Sequence, residues 1–282
     1  MLKEGCLEGQ TLLVTGGGSG LGRGMAERFG ALGASVGVLG RRTGPLEETA
    51  EAIRQAGGKA AWASTDVRNA GAVAEAVDAI EAELGPVTGL VNNAAGNFLA
   101  ASEDLSDNAF DSVVQIVLYG TFNATRELGR RWIERGEGGS LLSIVTTYAW
   151  MGSPFVLPSA CAKAGVLAMT RSLAVEWATY GVRSNAIAPG PFPTEGAFSR
   201  LMPPQMVEEA KQRIPVRRFG EPWELAELAA FLMSPAGAYI TGECVVIDGG
   251  EWLHSGQEFS SFTDIPRDHV KGMLAQLKPK KG

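Results

Sequence analysis

The chain has 282 residues, a formal net charge of -6, and 45% apolar and 20% charged residues. These proportions are typical of a soluble globular protein, and the acidic balance argues against nucleic acid or an anionic membrane surface as a partner. Three scattered cysteines and two histidines argue against a disulfide framework and against a metal site built by the protein. We therefore expect a cytoplasmic protein that binds no metal.

Short apolar strands alternate with amphipathic helices along nearly the whole chain. The predicted strands cover residues 11–14, 35–39, 59–64, 89–91, 141–145, 183–187 and 244–247. The predicted helices cover residues 23–32, 46–55, 70–84, 106–135, 159–179 and 224–233. This alternation predicts a single α/β domain over 1–282, a doubly wound, Rossmann-type parallel sheet with helices on both faces. A polar insert at 195–216 is expected to cover the substrate, and a C-terminal tail begins at 252.

A glycine-rich turn, T-G-G-G-S-G-L-G at 15–22, joins the first predicted strand to the first helix. Glycines here let the backbone approach a phosphate, and the helix N-terminus supplies free N–H groups. The alternative is a tight turn without a ligand, but the flanking strand and helix favour a dinucleotide site. The predicted contacts in this turn are Gly16, Gly18, Ser19, Gly20, Leu21 and Gly22.

Two arginines, Arg41 and Arg42, follow the second predicted strand, about 20 residues beyond the glycine turn. The adenosine ribose of a dinucleotide is expected at this strand end. An acid there would favour NAD, whereas arginines attract a 2′-phosphate and favour NADP(H). The alternative interpretation is a pair of surface arginines before a loop.

Several other strand ends carry small or polar residues that leave room for a flat ligand. Asn92 and Asn93 either contact the ligand or stabilise their own turn, whereas Asn97 lies further out towards the expected crevice. The further candidate cofactor contacts at strand ends are Asp66, Val67, Asn93, Ala94, Pro189, Gly190, Pro191 and Phe192.

The segment from Ser143 to Gly165 runs from a buried strand through a loop with two prolines into a helix. Tyr148 lies in the predicted loop, and Ser159 is a good N-cap type for the helix that follows. Ser159 and Lys163 are four residues apart, so a helix places them on one face. All three side chains can exchange or orient protons, which predicts an active site here.

Four motifs occur in the order and on the elements typical of the short-chain dehydrogenase/reductase family, which this chain resembles. They are T-G-G-G-S-G-L-G, N-N-A-A-G, the lysine on the helix after the fifth strand, and the P-G turn after the sixth. The family's usual Tyr-x-x-x-Lys pair is absent, because Ser159 lies four residues before Lys163. Its usual serine and helical asparagine fall at Thr146 and Val117. These departures argue against an ordinary carbonyl reductase.

One branch of the family shares those departures, the mitochondrial-type 2,4-dienoyl-CoA reductases, and the chain resembles it nearly end to end. The shared segments are N-N-A-A-G-N at 92–97, T-T-Y at 146–148, P-S-A-C-A-K-A-G at 158–165, P-G-P-F at 189–192, G-A-F-S-R-L at 196–201, R-I-P-V-R-R-F-G at 213–220 and G-Q-E-F at 256–259. The resemblance implies NADPH-dependent reduction of a dienoyl-CoA thioester to a 3-enoyl-CoA.

The same resemblance implies a role for individual residues. Tyr148 and Asn97 would hydrogen-bond the thioester oxygen, Lys163 would hold the nicotinamide ribose and favour ionisation of nearby hydroxyls, and Ser159 would assist. The implied acyl-CoA contacts are Arg68, Phe98, Ser106 and Arg200. Phe98 could instead be a packing residue, Ser106 a helix cap, and Arg200 a solvated loop residue. A homotetramer formed through helices 106–135 and 159–179 is also implied.

Two other functions stay open at this point, because a shared fold does not fix a substrate. The first is a different short-chain reductase, acting on a ketone, a 3-oxoacyl thioester or another enoyl thioester. The second is a non-catalytic NADP-binding sensor, against which the presence of Tyr148, Asn97 and Lys163 argues.

Overall fold

A computed structural model describes residues 2–194, 207–256 and 260–276. Part of the predicted insert, including Arg200, lies outside the described residues, as does most of the G-Q-E-F segment. The described chain forms a seven-stranded parallel sheet. Its strands are β1 (Thr11–Thr15), β2 (Ser35–Gly40), β3 (Lys59–Ser64), β4 (Gly89–Asn92), β5 (Gly139–Ile144), β6 (Val182–Pro189) and β7 (Cys244–Ile247). The predicted doubly wound fold is confirmed.

The strand order β3-β2-β1-β4-β5-β6-β7 reverses direction between β1 and β4. Beyond β1 the chain winds outwards to β3, then returns to place β4 on the other side of β1. In such sheets a ligand binds in the crevice outside the carboxyl ends of the strands at the point of reversal. The glycine turn after β1 and the asparagines after β4 therefore share the edge where a dinucleotide is expected.

The helices described here flank this sheet. They are α1 (Gly20–Ala31), α2 (Thr43–Gln55), α3 (Ala70–Leu84), α4 (Asp107–Val114), α5 (Gly120–Arg135), α6 (Tyr148–Met151), α7 (Leu157–Glu176), α8 (Val207–Arg213), α9 (Pro222–Met233), α10 (Glu251–His254) and α11 (Arg267–Gln276). Apolar side chains fill both interfaces of the sheet: Phe29 and Met25 belong to one buried cluster, Trp132 and Leu128 to the other. The indole N–H of Trp132 donates to the Val87 carbonyl at 2.6 Å, which satisfies its polar atom in the core.

The long helix predicted over 106–135 is helical throughout but not uniform. α4 passes into a π-helical segment, Gln115–Tyr119, before α5 begins. Ser106 caps α4 by accepting the Ala109 N–H at 3.2 Å, and Gly136 ends α5 in the left-handed conformation, as predicted. The π-helical turn adds a residue that apolar periodicity does not reveal.

The helix that carries Lys163 begins earlier than predicted. α7 starts at Leu157 with Pro158 in its first turn, where the missing proline N–H costs no hydrogen bond. Ser159 is therefore not an N-cap: it is a buried helical residue. The prediction of a loop at Tyr148 was also wrong, because residues 148–151 form the single turn of α6. Two other helices also begin earlier than predicted, α1 at Gly20 and α9 at Pro222. α7 ends at Glu176, before the predicted 179.

The C-terminal tail folds into more regular structure than its polar sequence suggests, with α10 directly after β7 and α11 near the end of the described chain. Among the residues that the structure describes, no helix is long and apolar enough to cross a bilayer.

Candidate active site

The turns after β1 and β4 are clasped together by side chains at the strand ends. The Thr15 hydroxyl accepts the Asn93 N–H at 3.0 Å and the Ala94 N–H at 3.1 Å, and donates to the Val91 carbonyl. The Asn93 amide donates to the carbonyls of Thr15 and Gly16 at 3.1 and 3.2 Å. Asn93 therefore holds the glycine turn in shape, in line with the turn-stabilising alternative.

The glycine turn has the properties of a phosphate cradle. Gly16 has a φ of +67°, a conformation that side chains disfavour, and a Cβ on Gly22 would collide with the Gly16 carbonyl and the Asn93 amide. The first intrahelical hydrogen bond of α1 runs from Arg23 to Ser19, and the Ser19 hydroxyl caps no helical N–H. The N–H groups of Gly20, Leu21 and Gly22 are thus the donors that a helix N-terminus offers to a pyrophosphate. With Gly18 they fit a dinucleotide.

The two arginines after β2 are exposed and lie beside this cradle. The Arg42 guanidinium is 3.4 Å from the Ser19 hydroxyl, which brings a cation to the edge of the glycine turn. Arg41 lies next to it, with its carbonyl accepting from the Ser64 hydroxyl at the end of β3.

Asp66, also at the end of β3, is engaged by a different arginine. Arg68 forms a two-pronged ion pair with it, and this hydrogen bonding lowers the pKa of the Asp66 carboxyl. Arg68 is therefore paired in the structure through Nε and one of its two NH₂ groups, which leaves the other NH₂ group as the donor for a CoA phosphate. Val67 is buried against α5, where its methyl group fills the space that a Gly120 Cβ would need.

The turn after β6 packs closely against β7. A Cβ on Gly190 would meet Asp248 at 2.6 Å, so only glycine allows this approach. Phe192 is buried, with its ring against Gly220. Pro191 and Phe192 border a small cavity of about 120 Å³ together with residues of the segment between α8 and α9, Glu224 of α9 and the end of β7. The remaining predicted cofactor contacts, Ala94 and Pro189, lie at the same carboxyl edge of the sheet.

Three predicted active-site residues from three elements meet at this edge. The Tyr148 hydroxyl on α6 is 2.9 Å from the Ser159 hydroxyl on α7, and the Asn97 amide donates to the Tyr148 hydroxyl at 3.4 Å. Asn97 lies on the loop after β4, and its side-chain oxygen accepts the Phe98 N–H at 2.9 Å. This bond fixes the amide so that its NH₂ group points at the phenol. The structure therefore presents a phenol and a carboxamide as neighbouring neutral donors.

Burial keeps the Tyr148 phenol protonated. It raises the pKa of Tyr148, and hydrogen bonds with Ser159 and Thr146 lower it by less. The expectation that Lys163 favours ionisation of nearby hydroxyls stays a prediction. Lys163 is itself buried and donates to the Ile144 carbonyl at the end of β5.

Lys163 is a buried cation without a described carboxylate partner. Its burial lowers its pKa to about 8, so the ammonium form is less favoured than in water and its proton is lost as the pH rises through that value. A buried ammonium held by a backbone carbonyl has further N–H donors for the hydroxyls of a ribose.

The residues expected to line the acyl-CoA site are not brought together in the same way. Phe98 is half-buried against the cluster around Val113 and Val117, which fits the packing alternative. Ser106 is exposed and acts as the helix cap already described, and Arg200 lies outside the described residues. Within the described ranges no group of acidic, histidine or cysteine side chains could hold a metal ion.

Sequence reasoning missed several residues that shape the site. Thr15 clasps both turns, and its position directly after an apolar strand is a signal that could have identified it. The rings of Trp150 and Trp252 are in contact and join α6 to the C-terminal segment. The Asp248 carboxylate accepts the Trp252 backbone N–H. Residues a hundred positions apart carry no local signal for such a contact.

Comparison with known proteins shows which family the chain belongs to. Residues 16–251 match a family model described as enoyl-(acyl carrier protein) reductase. A short chain dehydrogenase from Bacillus anthracis has a similar structure, with a TM-score of 0.81 and 44% identity over 88% of this chain and 98% of that one. A putative 2-deoxy-d-gluconate 3-dehydrogenase from Agrobacterium tumefaciens with bound NADP has a TM-score of 0.81 and 32% identity over 89% of this chain and all (100%) of that one.

The chain belongs to the short-chain dehydrogenase/reductase family and is an oxidoreductase. It is 49% identical to an uncharacterised oxidoreductase of Caenorhabditis elegans, over 93% of this chain and 85% of the relative. It is 45% identical to a probable 2,4-dienoyl-CoA reductase of the same organism, named as (3E)-enoyl-CoA-producing, over 89% and 83%. It is 41% identical to a probable 2,4-dienoyl-CoA reductase of Bacillus subtilis, named as (2E)-enoyl-CoA-producing, over 88% and 98%.

Proposed function

We propose that the protein reduces 2,4-dienoyl-CoA thioesters to 3-enoyl-CoA at the expense of NADPH. The observation that carries this proposal is the convergence of the Asn97 amide and the Tyr148 hydroxyl, 3.4 Å apart, at the carboxyl edge of the sheet. Several relatives are named as 2,4-dienoyl-CoA reductases, which supports the same substrate class.

The donor pair suits a conjugated thioester. A bound NADPH would supply a hydride to the delta carbon of the dienoyl group, with the electron pair moving through the two double bonds to the thioester oxygen. Tyr148 and Asn97 each donate a hydrogen bond to that oxygen and stabilise the dienolate, by roughly 3–4 kcal/mol per donor in comparable sites. A proton from solvent or a nearby group then adds at the alpha carbon and gives the 3-enoyl product.

The remaining polar residues hold this arrangement. Ser159 keeps the Tyr148 hydroxyl in place at 2.9 Å, and the raised pKa of Tyr148 keeps the phenol a donor throughout the reaction. Lys163 would hold the nicotinamide ribose. Because the donors are neutral, they attract the negative charge that develops on the oxygen without competing for a proton.

The test is NADPH oxidation by the purified protein with hexadienoyl-CoA beside a 3-oxoacyl-CoA of equal length. We expect turnover of the dienoyl thioester to be faster by at least about tenfold. Faster reduction of the 3-oxoacyl thioester would contradict the proposal and favour an ordinary ketone reductase. Because relatives are named for either the (3E) or the (2E) product, proton NMR of the product should show which double bond remains.

NADP is the cofactor that Arg41 and Arg42 favour, and Arg41→Asp tests this. The replacement puts a negative charge where a 2′-phosphate is expected, so the preference for NADPH over NADH, measured as a ratio of kcat/KM, should fall by about tenfold or more. Lys3→Asp makes the same change in net charge at an exposed site and should leave the ratio unaltered. An unchanged ratio in Arg41→Asp would refute the 2′-phosphate assignment.

The homotetramer and the cytoplasmic location stay predictions. Exposed apolar side chains on the predicted interface helices support assembly: Tyr119 and Phe122 near the start of α5 are 50% and 42% exposed, and Val175 near the end of α7 is 79% exposed. Light scattering should give a mass four times that of the chain, and a monomer would contradict the assembly.

A further inference from the structure

Exposed apolar side chains flank both oxygen-binding donors. Leu99, two residues after Asn97, is 53% exposed, and Trp150, two residues after Tyr148, is 39% exposed. Met151 and Phe155 follow on the second segment and are also exposed. We call these four side chains the apolar rim. The Ala100 N–H donates to the Phe155 carbonyl at 3.0 Å, so the two segments of the rim are joined by their backbones.

Phe155 adopts a backbone conformation that a bulky residue rarely takes. Its φ is +63°, in the left-handed region, and its ring is 56% exposed. Strain of this kind persists when the surrounding structure fixes it, and it is concentrated at ligand sites. Here the strained backbone holds an aromatic ring in contact with water, where burial would have been expected of a phenylalanine.

The ring of Trp150 meets a second indole from the far end of the chain. Its centroid is 5.6 Å from that of Trp252, with the ring planes at 86° to each other, an edge-to-face contact. Trp150 comes two residues after Tyr148 in a single helical turn, so its ring points to a different side of α6 from the phenol. The contact therefore joins α6, which carries the catalytic hydroxyl, to α10.

Trp252 is held from below by the end of β7. The two carboxylate oxygens of Asp248 accept the N–H groups of Gly250 and Trp252, both at 2.8 Å. Asp248 in turn packs directly against Gly190 in the predicted cofactor turn. The indole pair is consequently fixed relative to both predicted ligands: through Asp248 to the cofactor turn, and through α6 to the oxygen donors.

We propose that Trp150 and Trp252 form the end wall of the acyl-chain site and set the length of the chain that the enzyme accepts. This inference rests on the proposed function. A thioester whose oxygen lies between Asn97 and Tyr148 has a polar CoA end and an apolar acyl end. The rim side chains follow Asn97 and Tyr148 within two to seven residues along the chain and are exposed, so they offer apolar surface of the kind that an acyl chain needs. The indole pair joins α6 to α10, and we place the end of that surface there.

The experiment compares kcat/KM for decadienoyl-CoA and hexadienoyl-CoA in Trp252→Ala and Trp150→Ala. Removing either indole lengthens the site, so the ratio of the longer to the shorter substrate should rise by at least about tenfold. Trp252→Phe retains a ring and should keep the ratio within a few-fold of the parent. Trp223→Ala is the matched control, because that indole is 58% exposed on α9 and bonds to the Glu221 carboxylate instead.

The outcomes separate this inference from the proposed function. If kcat/KM falls equally for both substrates in both alanine variants, with NADPH affinity unchanged, the indole pair does not set chain length and is only a packing contact. If Trp252→Ala does not fold, Trp252→Leu carries the same expectation with a smaller change in the ratio. If the parent protein reduces neither dienoyl thioester, the proposed function fails. Calorimetric Kd values for hexanoyl-CoA and dodecanoyl-CoA then test the wall: a tenfold shift in their ratio in Trp252→Ala supports it, and no shift overturns it.

Discussion

Two polar clusters of this molecule are built on opposite principles. Around Glu81 on α3, charge meets charge: Arg131 and Arg135 on α5 both hold its carboxylate at 2.7–2.8 Å, and Asp78 and Glu127 also pair with Arg131. Around Tyr148, neutral groups meet at 2.9 and 3.4 Å. In the first cluster the charged groups hydrogen-bond to one another. In the second, the phenol and the amide are neutral donors whose hydrogen bonds can be redirected to a ligand oxygen.

The pKa values show the same difference. Burial alone would raise the pKa of Glu81, but hydrogen bonds from Arg135, the Val87 N–H and Arg131 outweigh it and lower the pKa to about 2. Nothing comparable offsets burial at Tyr148, whose pKa is raised. We infer that the Glu81 cluster stabilises the packing of α3 on α5 and that the Tyr148 cluster serves binding and catalysis. The predictions below change one cluster and measure both stability and activity.

The largest expected effect follows from Tyr148→Phe. Losing one of two donors to the thioester oxygen should lower kcat with a dienoyl-CoA by at least about 100-fold. The free energy of unfolding should fall by only about 1 kcal/mol, because the deleted hydroxyl bonds to Ser159 at 2.9 Å and more weakly to Asn97 at 3.4 Å. Steady-state kinetics and urea unfolding measure the two quantities.

Tyr239→Phe is the control for this change, since Tyr239 is fully exposed and distant in sequence from every donor of the site. Its kcat should equal that of the parent. A Tyr148→Phe enzyme that keeps activity within a few-fold would exclude the phenol as an oxyanion donor.

Glu81→Gln should have the opposite profile. It removes the carboxylate from two guanidinium groups, which should cost roughly 1–2 kcal/mol of unfolding free energy after allowance for solvent screening. Because the folded-state pKa is depressed from 4.5 to about 2, this contribution is complete above 4.5 and is lost as the pH falls towards 2. Urea unfolding at neutral pH and at successively lower pH values measures it.

Glu83→Gln lies two residues further along α3 on an exposed position and serves as the control. It should leave stability and kcat at parent values, and Glu81→Gln should leave kcat nearly unchanged. A large loss of kcat in Glu81→Gln without unfolding would contradict the inference that the Glu81 cluster serves stability and the Tyr148 cluster serves catalysis.

The smallest predicted effect concerns Lys163. Its pKa of about 8 means that the cofactor-free enzyme loses this positive charge as the pH rises through 8. The kcat/KM for NADPH reports groups on the free enzyme, so it should decline by several-fold above that pH. A profile that stays flat up to the ordinary lysine value of 10.5 would show that the ammonium charge does not assist cofactor binding.

Local chemistry was sufficient to predict most of the fold. The strand limits of β3 and β7 and the helix limits of α3 agree residue for residue, because apolar runs there end at clear polar or glycine boundaries. The start of α7 was mispredicted because Ser159 is a good cap by type, whereas Pro158 had already set the first turn. The π-helical segment and the single turn of α6 depend on packing between distant elements, which periodicity does not contain.

The candidate site was only partly predictable for the same reason. The glycine turn is recognisable in the sequence, since a positive φ requires glycine at Gly16 and close approach to the Gly16 carbonyl requires it at Gly22. The pairing of Tyr148 with Asn97, fifty-one positions apart, came from resemblance to a family. The contact between Trp150 and Trp252 had no signal of either kind.

The central claim is that one substrate oxygen binds between Tyr148 and Asn97, and a crystal structure with NADP and a 2,4-dienoyl-CoA tests it most directly. The oxidised cofactor cannot supply a hydride, so the substrate should persist in the crystal. We predict the thioester oxygen within about 3.2 Å of both the Tyr148 hydroxyl and the Asn97 amide nitrogen. A thioester oxygen bound elsewhere, with these two side chains still bonded to each other, would contradict the account.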